Sequence, residues 1–382
     1  MKTKLALLGI VLVFLAVYVT FFAPTPDLIS PLSNSPLQEN RQRSNSDYII
    51  MGFAPYWNLK KLTPQSLENI THFAYFNLHI AKDGSVYTKV NSREEDPSYT
   101  NFKRLISGTI NRGDKPLIIT IMPESQEALK QSISSEKTRS NTIKTIIKVI
   151  KDSNASGINI DYEPLGDIST ELRNNFTLFI QELRTQLDEL DKLLTISTYA
   201  SVATRPRLWD LQKLEPHTDY FVIMTYDYTL PGSKSAGPNS PLRGSGDLFE
   251  HDIIKNISEI VQLIPARKVL LGIPFYGYEW TTINASKYSP ADSRGSVASL
   301  ERIQEMLDDK TLELIWDRNS LTPYGVSSSS GQISQIYFEN ETSINLKIEF
   351  VKSANLGGIA IWALGYEGNN EWLWPTINLL SK

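Results

Sequence analysis

An α/β chain folded as a (β/α)8 TIM barrel, with a small α+β insertion between strands seven and eight, is predicted by three observations. Eight short apolar runs alternate with amphipathic stretches across about 335 residues, which matches eight strand–helix units. The runs are almost continuously apolar, as parallel strands covered on both faces require. No Gly-x-Gly-x-x-Gly follows the first run, whereas an open dinucleotide-binding sheet would carry one there. A chain of 382 residues suits one such barrel with an insertion.

The chain begins outside that pattern. Lysines at positions 2 and 4 precede an uncharged apolar segment of about 18 residues, 5–22, near the length that spans a bilayer. Basic residues ahead of it favour an inside N-terminus. No small-residue cleavage site follows, since the chain runs on as Phe22-Ala23-Pro24-Thr25-Pro26. Residues 1–22 therefore read as an uncleaved membrane anchor in preference to a signal peptide. Residues 23–46, rich in Pro, Ser and Asn, read as a disordered tether. On either reading the barrel, 47–382, is exported, and membrane contact is through the N-terminal segment alone.

The apolar runs fall at 48–56, 71–78, 117–122, 157–163, 193–200, 220–228, 269–276 and 358–364. Between the fourth and fifth, Leu172, Phe176, Phe179, Ile180, Leu183 and Leu187 recur at helical spacing. Between the sixth and seventh, Ile253, Ile257, Ile260, Val261 and Ile264 do so, closed by Pro265. From Trp280 to about Asn345 there is too much chain for one connection. A helix from Val297 to Leu307, strand-like stretches at 313–316 and 333–338, and turn residues at 322–325 predict an insertion over 281–345.

The composition excludes several chemistries. With 38 basic and 42 acidic residues, a net charge of −4 gives no electrostatic case for nucleic acid. Without cysteine there is no disulfide, thiolate metal site or Cys nucleophile. His72, His79, His217 and His251 lack metal-ligand spacing, so neither a metal nor an organic cofactor is expected.

Barrel active sites gather at the carboxyl ends of the strands, and the fourth run carries the most chemistry. In Gly157-Ile158-Asn159-Ile160-Asp161-Tyr162-Glu163 the polar side chains alternate with apolar ones. A strand would line Asn159, Asp161 and Glu163 along one face, and Pro164 would stop it. Carboxyls forced together raise one another's pKa, which keeps one protonated to serve as an acid. A wet face on an edge strand is the plainer alternative. The sixth run ends Met224-Thr225-Tyr226-Asp227-Tyr228, the seventh Pro274-Phe275-Tyr276-Gly277-Tyr278-Glu279-Trp280, and the eighth holds Trp362. Strand one ends Pro55-Tyr56-Trp57 and strand two holds Tyr75-Phe76-Asn77; either could line a cleft. A tryptophan in a strand is, taken alone, more often core than a sugar platform.

The fourth run resembles the Asp-x-x-Asp-x-Asp-x-Glu strand of the family 18 glycoside hydrolases, with Ser156, Asn159, Asp161 and Glu163 at the four positions. Ser156 departs from the pattern, and Asn159 is an allowed variant. The sixth run is similar to the family's Met-x-Tyr-Asp. Strand three has Thr120-Ile121-Met122-Pro123-Glu124 where chitinases of the family often have Ser-x-Gly-Gly. With Gly-Tyr-Glu-Gly after strand eight, the chain looks closer to the bacterial spore- and wall-associated branch.

The resemblance implies a retaining, substrate-assisted hydrolysis, in which the substrate's acetamido oxygen is the nucleophile. Glu163 would be the acid and base, Asp161 would orient the acetamido N–H, and Tyr226 would hold its carbonyl. Asn159 would donate to Asp161. Trp362 would floor the reacting sugar, and Met224, Asp227, Tyr56 and Tyr276 would complete the cleft. The expected partner is an N-acetylglucosamine-containing polysaccharide met by a monomer. A chitinase-like lectin that has lost the acid, or an endoglycosidase acting on glycoprotein glycans, are the alternatives. Glu163 is present, which argues against the lectin.

Overall fold

The computed structural model describes residues 48–246, 249–329 and 331–381. The anchor and tether expected over 1–46 lie outside these residues. Among the described residues, no helix is long and apolar enough to cross a membrane.

The barrel strands are β1 (Ile49–Pro55), β2 (His72–Ile80), β3 (Leu117–Pro123), β4 (Gly157–Ile160), β5 (Leu193–Tyr199), β6 (Tyr220–Met224) and β7 (Val269–Pro274). The insertion contributes β8 (Tyr276–Thr282), β9 (Ser296–Ser299), β10 (Glu313–Asp317), β11 (Thr322–Ser329) and β12 (Gln332–Tyr337) before the last barrel strand, β13 (Gly358–Trp362). The parallel barrel closes in the order β1-β13-β7-β6-β5-β4-β3-β2. All eight apolar runs thus form barrel strands, as the alternation predicts.

Alternation within each strand builds two cores. Met51, Phe53, Ala74, Ile118, Val222, Leu270 and Ala360 fill the lumen. The other face packs on the helices, with Ile158, Ile160 and Tyr162 among its members. Closure is tight at Gly358, whose φ is +148° and where a Cβ would lie 2.0 Å from the Ile49 carbonyl oxygen; only glycine fits there.

The helix Thr170–Asp188 buries Phe176, Phe179, Ile180, Leu183 and Leu187, the stripe read from the sequence. It begins at Ser169, whose hydroxyl accepts from the Leu172 N–H at 3.1 Å. The helix Ile253–Ile260 is capped by Asp252 and buries Ile253, Ile257 and Ile260.

The insertion is an antiparallel sheet in the order β10-β11-β12-β8-β9. It begins at Tyr276, directly after β7, and not near 281. Tyr276 through Thr282 read as the tail of strand seven because they continue its pattern, yet they pair with β12, Tyr278 opposite Tyr337. The expected helix Val297 to Leu307 divides into β9 and the helix Leu300–Asp308, capped by Ser299. Glu279, in the stretch read as the end of strand seven, is ion-paired to Arg302 of that helix at 2.6 Å.

Candidate active site

The polar row on β4 has the predicted alternation. Its ladder is shorter than expected and stops at Ile160, paired with Ile121. The Asp161 N–H still donates to the Ile121 carbonyl at 3.0 Å. The neighbouring strand then ends at Pro123, which has no N–H to extend the ladder. A side chain takes over: Gln126 donates to the Glu163 carbonyl at 2.8 Å and accepts from the Leu165 N–H at 2.9 Å. Gln126 thereby fixes the backbone that carries Glu163.

Asn159 does not bond Asp161 as expected. Its oxygen accepts from Thr195 at 2.8 Å, and its amide donates to Ser197 Oγ at 3.0 Å. These hydroxyls lie on the adjacent strand, within easier reach than a carboxyl two residues along. Ser197 is in turn the hydroxyl that bonds Asp161. Asp161 Oδ1 is buried without a hydrogen-bond partner among the described residues, an arrangement that costs free energy unless a ligand donates there.

Burial pushes the Asp161 carboxyl well above the ordinary carboxylate range, and the Glu163 carboxyl adds to the shift; the Ser197 hydrogen bond opposes it. Burial also raises the Glu163 carboxyl; a hydrogen bond from Tyr199 opposes this, and the Asp227 charge reinforces it. A row of carboxyls that resist ionisation can hold a proton ready for transfer.

The chain after β6 completes the cluster. Tyr226 is half-buried, and desolvation together with the charges of Asp227, Asp161 and Glu163 pushes its phenol well above its ordinary value; it stays a neutral donor. Room for its ring comes from Gly272, where a Cβ would lie 2.9 Å from Tyr226 Cε1. Asp227 has a left-handed backbone, φ 63°, uncommon without a local reason. Its N–H donates to Asn239 Oδ1 at 2.9 Å. Its Oδ1 accepts from Tyr276 and from Tyr278, the latter at 2.8 Å. The insertion strand therefore grips a carboxylate of the barrel mouth.

Aromatic rings occupy one flank. The Trp362 ring lies 4.6 Å from Phe76, 6.2 Å from Phe53 and 6.4 Å from Trp57. Trp57 is half exposed. Tyr56 packs instead against the outer core, one residue out of phase with Trp57, and Tyr75 is buried there with its hydroxyl on the Ser98 carbonyl. The inward positions of these two strands belong to Trp57 and Phe76.

On the other flank lies a cavity of about 650 Å³, with Glu163, Tyr199, Arg207, Met224, Tyr226 and Asp227 in its lining. The structure thus brings together Asp161, Glu163, Met224, Tyr226, Asp227 and Tyr276. Sequence reasoning missed Tyr199, Gln126, Tyr278 and Arg207. Tyr199 ends β5 and could have been found by reading that strand end as the others were read. Tyr278 stands two residues from Tyr276, on the same face of its strand, and alternation could have found it; Gln126 and Arg207 carry no local signal.

The family model described as Glycosyl hydrolases family 18 matches residues 40–367. The chain is 21% identical over 325 residues to the cortical fragment-lytic enzyme of Bacillus subtilis, covering 83% of this chain and 69% of that protein. It is 26% identical over 265 residues to chitinase A1 of Niallia circulans, covering 61% and 38%. The chain spans between 38% and 71% of the length of the curated relatives it matches. A family 18 chitinase of Cycas revoluta, solved with (GlcNAc)3, superposes with a TM-score of 0.73 at 19% identity, covering 87% of this chain and all of that one. A family 18 N-acetylglucosaminidase of Paenibacillus barengoltzii gives 0.70 at 21% identity, covering 87% and 99%.

Proposed function

The chain belongs to family 18 of the glycosyl hydrolases, and on that premise we propose that it hydrolyses β-1,4 bonds of an N-acetylglucosamine-containing polysaccharide with retention of configuration. One observation carries the reading. Asp161 and Glu163, just past β4, and Tyr226, just past β6, meet at one mouth of the barrel, where Glu163 and Tyr226 line the same cavity.

In this reaction the acetamido oxygen of the bound sugar attacks its own anomeric carbon. Glu163, kept protonated by burial, gives its proton to the leaving oxygen and later takes one from water. Asp161 accepts the acetamido N–H through its unpartnered Oδ1, and the positive charge forming on the oxazolinium ion favours its ionised form against the burial that opposes it. Tyr226 donates to the acetamido carbonyl. Asp227, held by Tyr276, keeps the Tyr226 segment in place, and Asn159 holds Ser197 against Asp161. Trp362 and Trp57 offer ring faces to the sugar, and Met224 lines the far side.

The reading extends to location: the barrel on the outer face of the cell membrane, supported by the apolar segment 5–22 and the tether that follows. Incubation with chitin oligomers and with peptidoglycan, followed by mass analysis, tests the activity. Fragments ending in an N-acetylated reducing sugar support it, and intact substrates in both cases contradict it.

A further inference from the structure

The cavity beside Glu163 contains a cation that the hydrolysis itself does not use. Arg207 is half-buried and has φ 45°, in the left-handed region. Three contacts hold it. Its guanidinium stands 5.1 Å over the Tyr199 ring, it donates to the Pro164 carbonyl at 3.3 Å, and its own carbonyl accepts from Arg173 at 2.6 Å. Pro164 directly follows the acid, so the guanidinium is fixed relative to Glu163. Among the described residues Arg207 has no carboxylate in ion-pair contact. Glu250, also in the lining, lies 3.3 Å from His251.

An arginine presents five donors in a planar fork suited to a carboxylate. A single carbonyl bond and a ring contact leave most of that fork unused. A neutral sugar chain has little use for it. The cavity is lined from the ends of β4, β5 and β6, whereas Trp362 ends β13, between β1 and β7 in the barrel order; with the reacting sugar on the Trp362 floor, the departing group falls on the cavity side. At about 650 Å³ it is within the usual range of a small-ligand site. Leu165 and Leu230, 70% and 51% exposed, stand at its edge and can cover the apolar face of a sugar.

We propose that this cavity is the leaving-group subsite and that Arg207 reads a carboxylate on the leaving sugar. The preferred substrate is then an N-acetylated glycan in which that sugar carries a free acidic ether or similar anionic substituent, as in peptidoglycan strands stripped of their stem peptides, and not a neutral homopolymer. The inference rests on the hydrolase reading and narrows it.

The test compares the purified protein and its Arg207→Gln and Arg207→Lys variants on three substrates. These are peptidoglycan glycan strands freed of stem peptides, the same strands with their carboxylates converted to amides, and chitin oligomers of matched length. The wild type should favour the acidic strands over the amidated ones by roughly ten- to a hundredfold in kcat/KM, the usual worth of a charge-assisted hydrogen bond. Arg207→Gln should collapse that ratio toward one, and Arg207→Lys should keep part of it. A merely structural arginine would instead lower all three substrates in proportion, and that outcome overturns the proposal. So does a wild type with equal rates on acidic and amidated strands, or a preference seen only when stem peptides are present.

Should no substrate be cleaved, the hydrolase reading fails, but calorimetry on Glu163→Gln still decides the inference. Tighter binding of acidic than of amidated strands, lost when Arg207→Gln is added, upholds the carboxylate contact of Arg207, and equal binding overturns it.

Discussion

On the proposed mechanism Glu163 holds a proton when the glycosidic oxygen leaves, and Glu163→Gln removes that proton while keeping the shape of the side chain. Turnover should fall by roughly 10²–10⁴-fold, with sugar binding retained. A variant that keeps most of its activity on a natural glycoside would remove Glu163 from the acid role. Tyr199 gives a sharper test of the surroundings. Its hydrogen bond lowers the Glu163 pKa against the effect of burial. Tyr199→Phe should therefore raise that pKa and move the basic limb of the kcat/KM profile to higher pH; a limb that stays still or moves down would contradict this. The same group links to stability. Because the folded-state pKa of Glu163 is raised, its contribution is fully present below the ordinary carboxyl range and is lost as pH rises through the folded value. Glu163→Gln lacks this loss, so its melting temperature relative to the wild type should climb over that interval and then level off. Thermal scans across pH read it directly.

At the scale of elements, a buried ion pair ties the end of the insertion sheet to the helix that leads back to the barrel. Lys347, on the helix Glu341–Ser353, bonds Glu339 just beyond β12, and both are almost wholly buried. Burial pulls the lysine down and pushes the glutamate up, so each depends on the other to stay charged. Lys347→Ala should cost about 3–5 kcal/mol by stranding the carboxylate, measured by denaturant unfolding; a cost within ordinary surface limits would contradict the assignment. The barrel strands were legible because each is a closely bounded apolar run. The row Asn159, Asp161, Glu163 was legible because period-two alternation is a local property. The start of the insertion was not. Tyr276 to Thr282 continue the apolar pattern of β7, and only their pairing with β12 separates them. The bond from Asn159 to Ser197, the Gln126 clamp and the grip of Tyr278 on Asp227 join residues far apart in sequence. No pattern within a single strand encodes which side chain a neighbouring strand will supply.

For the whole molecule, the described residues close the barrel among themselves. Its first strand, β1, pairs with both β13 and β2, and the core begins at Tyr48. Deleting residues 1–46 should release a barrel that folds and keeps its activity; a truncated form that fails to fold would mean that this segment packs on the barrel. The central claim is that the substrate's own acetamido group attacks the anomeric carbon between Asp161, Tyr226 and Glu163. The most direct measurement is the rate of cleavage of matched β-1,4 glycans that carry either the acetamido group or a free amine at the reacting sugar. Cleavage of the acetylated glycan alone is predicted. Equal rates on both would show that the nucleophile is something other than the acetamido oxygen.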